Sequence, residues 1–266
     1  MSVAGHLVLL NQSPALVSED QAVLMARFTN AHLKRLAAAW GTLPWTCSYA
    51  ASLASAPPVD EAARLYLLKS PDVANAGGYH DVDPTGHPYA RVFLEPTLDN
   101  GGVVIASSVH NENANTVLCT VGHEACETAL DAYVGSWELM PDGKTLVARE
   151  ACDACEDRAK LIKLADGHSA WCSDFVTPAW FSRRNAPGPY TWADTLTAPF
   201  SMTPGGYLIE WSTKGPERDV FPAELHAKRD HDTSGRRITW GPAVPTWKKE
   251  VKLQATSRTA KLLARG

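Results

Sequence analysis

Residues 120–131 read Thr-Val-Gly-His-Glu-Ala-Cys-Glu-Thr-Ala-Leu-Asp. In a helix, His123 and Glu127 lie one turn apart on the same face. Two donors on one helical face can hold a metal ion, and the residue beside the first donor can take a proton. That is the physical content of the pattern His-Glu-x-x-His. Here glutamate stands in the second histidine's place, and carboxylate oxygen is itself an accepted zinc ligand. A bare His-Glu-x-x-Glu string is also what an ordinary exposed helix carries by chance. Val117, Val121, Ala125 and Leu130 form an apolar pattern around it, so the helix is expected to be half buried. Three further acids, Glu150, Asp153 and Glu156, follow downstream.

The 266 residues are 45% apolar and 20% charged and include nine tryptophans, the composition of a globular chain with ample core material. The net charge of −4 carries no signature of nucleic-acid binding. The charge is unevenly spread. Residues 213–266 hold 12 Lys and Arg against 6 Asp and Glu, whereas the first 212 residues hold 13 against 23. A basic C-terminal segment thus follows an acidic body. No apolar run reaches the ~18 residues of a membrane span. The N-terminus lacks a basic segment leading into an apolar core, so a cytoplasmic location is expected, with its six cysteines reduced.

Local patterns place the elements. His6–Asn11 reads as a strand. Ser18 is a candidate N-cap for an amphipathic helix running to Trp40, with Gly41 ending it. Arg64–Lys69 and Tyr89–Glu95 read as strands, with a loop beginning at Gly77–Gly78 between them. The motif helix is expected over about 115–132. Two hairpins follow, Tyr133–Leu139 with Thr145–Arg149, and Leu161–Leu164 with Ala170–Val176. The fold class is therefore α+β: a mixed sheet, a long backing helix and a second helix carrying the motif. Residues 1–212 form the domain, and 213–266, rich in Pro, Gly and charge, form an extended arm.

Several segments occur in a telling order: Gly78-Tyr79-His80-Asp81, Gly86-x-Pro88-Tyr89-Ala90-x-Val92-Phe93, Gly122-His123-Glu124-x-x-Glu127-x-x-x-Asp131, and Arg149-Glu150-x-Cys152-Asp153-x-x-Glu156-Asp157. Ser173-Asp174-Phe175-Val176-Thr177-Pro178-Ala179-Trp180-Phe181, Pro199-Phe200 and Gly205-Gly206-Tyr207 complete it. Over residues 5–211 this order resembles a family of phage, prophage and bacterial proteins with a zincin-like His-Glu-x-x-Glu helix. The sequence departs from that pattern at Ala132, where proline is expected. The resemblance implies a zincin-like fold, a zinc ion and a hydrolase of the peptidase kind. The alternative is a virion structural or assembly protein whose site no longer catalyses.

His123 and Glu127 are the expected metal ligands, and Glu124 the general base. Asp131 lies eight residues past His123, about 12 Å along a helix. It is too far to share an ion with His123, and is expected in a supporting role or at the helix end. Glu150 is the expected third ligand, behind a hairpin that can return the chain to the helix, with Asp153 as alternative ligand or supporting acid. His80, with Tyr79, is a candidate to stabilise an oxyanion, or else a loop histidine bonded to backbone. The acids of 150–157 have two other readings, a solvated turn and a calcium site. Cys152-x2-Cys155-x12-His168-x3-Cys172 also has zinc-finger spacing, although Ala159 and Ala165 stand where a finger's core residues belong. Protein partners, other virion proteins among them, are expected for the arm through Trp240, Trp247 and its positive charge. Contact with membrane or nucleic acid is not expected.

Overall fold

A computed structural model describes residues 5–73, 76–184, 186–212 and 215–220. The chain begins with β1 (His6–Asn11), α1 (Glu19–Trp40), β2 (Thr46–Ala50), β3 (Ala63–Leu68), β4 (Gly78–Val82), β5 (Pro88–Phe93) and the short α2 (Leu94–Asp99). The motif helix α3 (Val117–Asp131) follows. After it come β6 (Trp137–Leu139), β7 (Thr145–Ala148), β8 (Ala159–Lys163), β9 (Ser169–Ser173), β10 (Leu208–Ser212) and β11 (Gly215–Val220).

The larger sheet has the order β2-β1-β3-β5-β4. Its first four strands run parallel, and β4 runs antiparallel to β5 at the edge. Strand β1 is apolar on both sides because both are covered, as a central parallel strand requires. Leu7 and Leu9 join the main core with Leu65, Leu67 and Val92, whereas Val8 and Leu10 pack on the opposite face. Helix α1 lays Met25, Phe28, Leu33 and Leu36 on the main core. Each such side chain contributes about 1.5–3 kcal/mol by leaving water. The helix starts at a capping box: Ser18 Oγ accepts from Gln21 N at 3.2 Å, and Ser18 N donates to Gln21 Oε1 at 2.9 Å. It stops at Gly41, whose φ of 64° suits the left-handed cap.

Helix α3 packs against β4 and β5 on one side and against α1 and β9 on others. Thr116 Oγ1 caps its start by accepting from Cys119 N at 2.9 Å. No proline is needed at its end. The Asp131 carboxylate accepts from Gly135 N, Ser136 N and Ser136 Oγ at 2.9–3.1 Å and turns the chain there. A second sheet, β11-β10-β7-β6, is antiparallel throughout, and β8 and β9 form a separate hairpin.

Two expectations change. The segment read as a loop from Gly77–Gly78 is the edge strand β4 from Gly78 onward. Its glycine serves close packing rather than a turn, since a Cβ on Gly78 would stand 2.7 Å from Glu124 Oε1 and 2.9 Å from the Arg91 carbonyl. The arm does not leave the body at 213 either. Gly215–Val220 pair with β10 in the register Leu208↔Val220, so the second sheet reaches Val220. Residues 221–266, with Trp240 and Trp247, lie outside the described residues. Truncation after Val220 keeps every described strand, and its Tm is the reference for a shorter chain. Truncation after Ser212 removes β11 and should lower it by about 2–4 °C for each kcal/mol of lost pairing. Thermal melts of the two truncations check this. Among the described residues no helix is long and apolar enough to cross a membrane.

Candidate metal centre

Four acids and two histidines meet beneath the edge of the larger sheet. From α3 come His123, Glu124 and Glu127, from β4 comes His80, and from the segment after β7 come Glu150 and Asp153. His123 is the most open at 9% exposure, and the others are 2–6% exposed. Three backbone bonds hold the acidic segment in place: Val176 N to Ala151 O, Thr203 N to Ala154 O and Tyr207 N to Asp153 O, at 2.7–3.0 Å. Cys152 N also donates to Glu127 Oε1 at 3.1 Å, which ties this segment directly to α3.

His123 Nε2 stands 3.3 Å from Glu127 Oε1 and 3.2 Å from Asp153 Oδ1. Donors about 2.0–2.2 Å from one tetrahedral ion lie about 3.3–3.6 Å apart, so both spacings suit a shared ion. His80 turns Nδ1 towards Glu127 Oε2 at 3.6 Å and Glu124 Oε2 at 3.9 Å, and its Nε2 towards Glu150 Oε2 at 3.6 Å. Among the described residues two groups of three donors lie within 4.8 Å of one another: His123, Glu127 and Cys152, and His80, Glu124 and Glu127. These buried groups could hold a metal ion. Mutual closeness favours Cys152 as third donor beside His123 and Glu127, whereas the 3.2 Å contact favours Asp153. Cys152 therefore completes the group of mutually close donors, and Asp153 stands beside it against His123.

The expected site residues thus converge, with one change of neighbour. Glu150 reaches the cluster through His80, and Asp153 is the acid that touches His123. Asp131 stands apart at the helix end. Asp157 accepts from Thr203 Oγ1 and from Gly205 N, so the acids of 150–157 face three different partners rather than one calcium shell. They are not a solvated turn, because Glu150 and Asp153 are buried. The zinc-finger quartet is not assembled. His168 is exposed and pairs with Asp166 at 3.1 Å, while Cys152, Cys155 and Cys172 are buried free thiols. Two participants escaped the sequence reading as site residues. Cys152 was read only with the other cysteines, and Tyr207, a buried hydroxyl hydrogen-bonded to Asp153, lies far along the chain.

Charge interactions override burial at His123 and Glu127. Burial alone would push the His123 pKa down, but Glu127 and the contacts with Asp153 and Glu127 hold it well above 6.5. Burial pushes Glu127 up, yet the two imidazoles bring it below the ordinary carboxylate range. Asp153 is raised well above its usual value by burial and by the Glu127 charge. Burial and Asp153 likewise keep the Tyr207 hydroxyl protonated far above neutrality. Without metal, then, His123 and Asp153 each keep a proton more readily than the free side chain does. A metal ligand must give its proton up. Metal uptake is expected to release protons, and apparent affinity should fall as pH falls. Calorimetry in buffers of different ionisation enthalpy measures this directly.

Gly78 sets the distance between β4 and α3, and so brings His80 to the acids. Gly78→Ala is expected to cost about 1–3 kcal/mol by forcing the strand away from Glu124 and the Arg91 carbonyl. It should weaken metal binding as well. Urea denaturation with and without metal separates the two effects.

Comparison with family models, with curated proteins and with solved structures gives no match to this chain.

Proposed function

We propose that this chain is a metal-dependent hydrolase, a zinc peptidase on a zincin-like frame, acting in a phage or prophage setting. The observation that carries the reading is the 3.2–3.3 Å spacing around His123 Nε2, with Glu124 next to it on the same buried helix. Donors of nitrogen and carboxylate oxygen suit zinc. Zinc bound there would polarise a substrate carbonyl and acidify a water molecule. Glu124 is one residue from His123 on α3 and would accept the proton of the attacking water. His80, reaching the acids from β4, would steady the carboxylates. Tyr207 keeps its proton and holds Asp153 in place through their hydrogen bond.

The test is elemental analysis of the purified full-length protein, followed by cleavage assays on unfolded casein and mixed peptides. Stoichiometric zinc is expected, with cleavage that stops on chelation and returns with zinc. A chain that takes up no metal, or cleavage indifferent to chelation, would overturn the proposal.

A second reading is favoured by the closure of the cluster, whose members are no more than 9% exposed. In that reading the chain is a virion structural or assembly protein, its metal site serving stability alone, with the basic arm docked on an acidic neighbour. Tight zinc without cleavage of any substrate would favour it. So would partner binding that weakens steeply with salt and is lost on truncation after Val220.

A further inference from the structure

Glu127 faces two imidazoles with different oxygens. Oε1 is 3.3 Å from His123 Nε2, and Oε2 is 3.6 Å from Nδ1 of His80. Each imidazole has its own additional acid: Asp153 beside His123 at 3.2 Å, and Glu124 beside His80 at 3.9 Å. The two three-donor groups share Glu127 and nothing else. Among the described residues no such group contains both imidazoles, so one ion does not reach both without movement. A carboxylate whose two oxygens serve two separate donor sets has the form of a bridging ligand.

We infer that the centre holds two divalent cations bridged by Glu127, one among His123, Glu127 and Cys152 with Asp153 close by, and the other among His80, Glu124 and Glu127. The inference rests on the metal-dependent reading above and adds a second site to it. Four carboxylates and two neutral imidazoles carry the charge that two divalent ions offset. Glu150 then has a defined part. His80 offers Nδ1 to the ion and turns Nε2 towards the Glu150 carboxylate, 3.6 Å away. A metal-ligating histidine commonly gives its second ring N–H to a carboxylate, which fixes the tautomer and the ring's orientation. Glu150 is thus a positioning residue for His80. The chemical class that suits a paired centre is a substrate whose attacking water and leaving group are both stabilised by cations, which includes peptide and phosphate-ester bonds.

The experiment is titration of zinc into the chelator-stripped full-length protein, followed by calorimetry, with elemental analysis of the dialysed product. Two zinc ions per chain are expected for wild type, and one each for His80→Ala and His123→Ala. Glu150→Gln should keep two sites and weaken one step by about 10–100-fold. A wild-type isotherm that ends at one equivalent overturns the inference whatever the variants do. In that case zinc kept by His80→Ala and lost by His123→Ala would leave the single-ion hydrolase reading standing. Two zinc ions without cleavage of any substrate would instead support the paired site and count against the hydrolase.

Discussion

Glu124→Gln is expected to bring hydrolysis down by about 10²–10⁴-fold, the range attached to a general base, while at least one zinc per chain stays bound. The reasoning begins from position. Glu124 lies between the two ligand residues of α3 in sequence, yet it is absent from the donor group of His123, Glu127 and Cys152. Its carboxylate is 4% exposed, and on one side it faces Gly78 closely enough that a Cβ there would touch it. Glutamine keeps that shape and keeps an oxygen acceptor, so packing should survive. What it lacks is the capacity to accept a proton at neutral pH. A loss of rate with the zinc content of wild type fully retained would therefore isolate proton transfer from architecture. Equal rates for wild type and Glu124→Gln would mean that the cleavage arises elsewhere.

Helices α1 and α3 and most hairpins were legible because local chemistry specifies them, whereas the short α2 was read in part as the end of a strand. Ser18 and Gly41 bracket α1 as caps, and α3 carries an apolar stripe with Thr116 at its start. The turn at Pro141-Asp142-Gly143 joins β6 to β7 as a hairpin. Strand β4 was not legible, because Gly77–Gly78 resembles turn chemistry when the helix residue that Gly78 packs on, Glu124, is far along the chain. Strand β11 was hidden for a similar reason. Its pairing with β10 satisfies an open edge, and no local alternation announces it.

The same division runs through the site. The His123–Glu127 pair follows from helical spacing alone. His80 arrives only because β4 pairs antiparallel with β5, His80 opposite Ala90, on the side of the sheet that faces α3. Glu150 and Asp153 are three residues apart, and the sequence could not decide which of them meets which imidazole. Backbone bonds from Thr203 and Tyr207 to the Asp153–Ala154 turn decide it. The finger-like spacing of Cys152, Cys155, His168 and Cys172 is a linear coincidence, since His168 sits on the exposed β8–β9 turn.

His123→Ala is expected to remove one zinc ion per chain and to abolish hydrolysis, and its stability profile should differ from that of a simple core lesion. Without metal, His123 is a charged partner for Glu127 and Asp153. Removing it leaves buried acids short of a cation, at a cost of about 3–5 kcal/mol if both stay ionised. Asp153 is already inclined to hold a proton, so part of that cost is avoided by protonation. The metal-free variant is therefore expected to melt below metal-free wild type, but to fold. The decisive quantity is the gain in Tm on adding zinc to each protein. A ligand present at about 1,000 times its Kd stabilises the folded state by about 4 kcal/mol. For a chain of this size that corresponds to roughly 8–16 °C at about 2–4 °C per kcal/mol. Wild type should show that gain, and His123→Ala should lose the part due to its own ion. Comparing the gains cancels the cost of the lost ion pair, which affects both of the variant's melts alike. Stoichiometric zinc and an unaltered gain in His123→Ala would remove His123 from the metal shell, and with it the geometry on which the hydrolase reading stands.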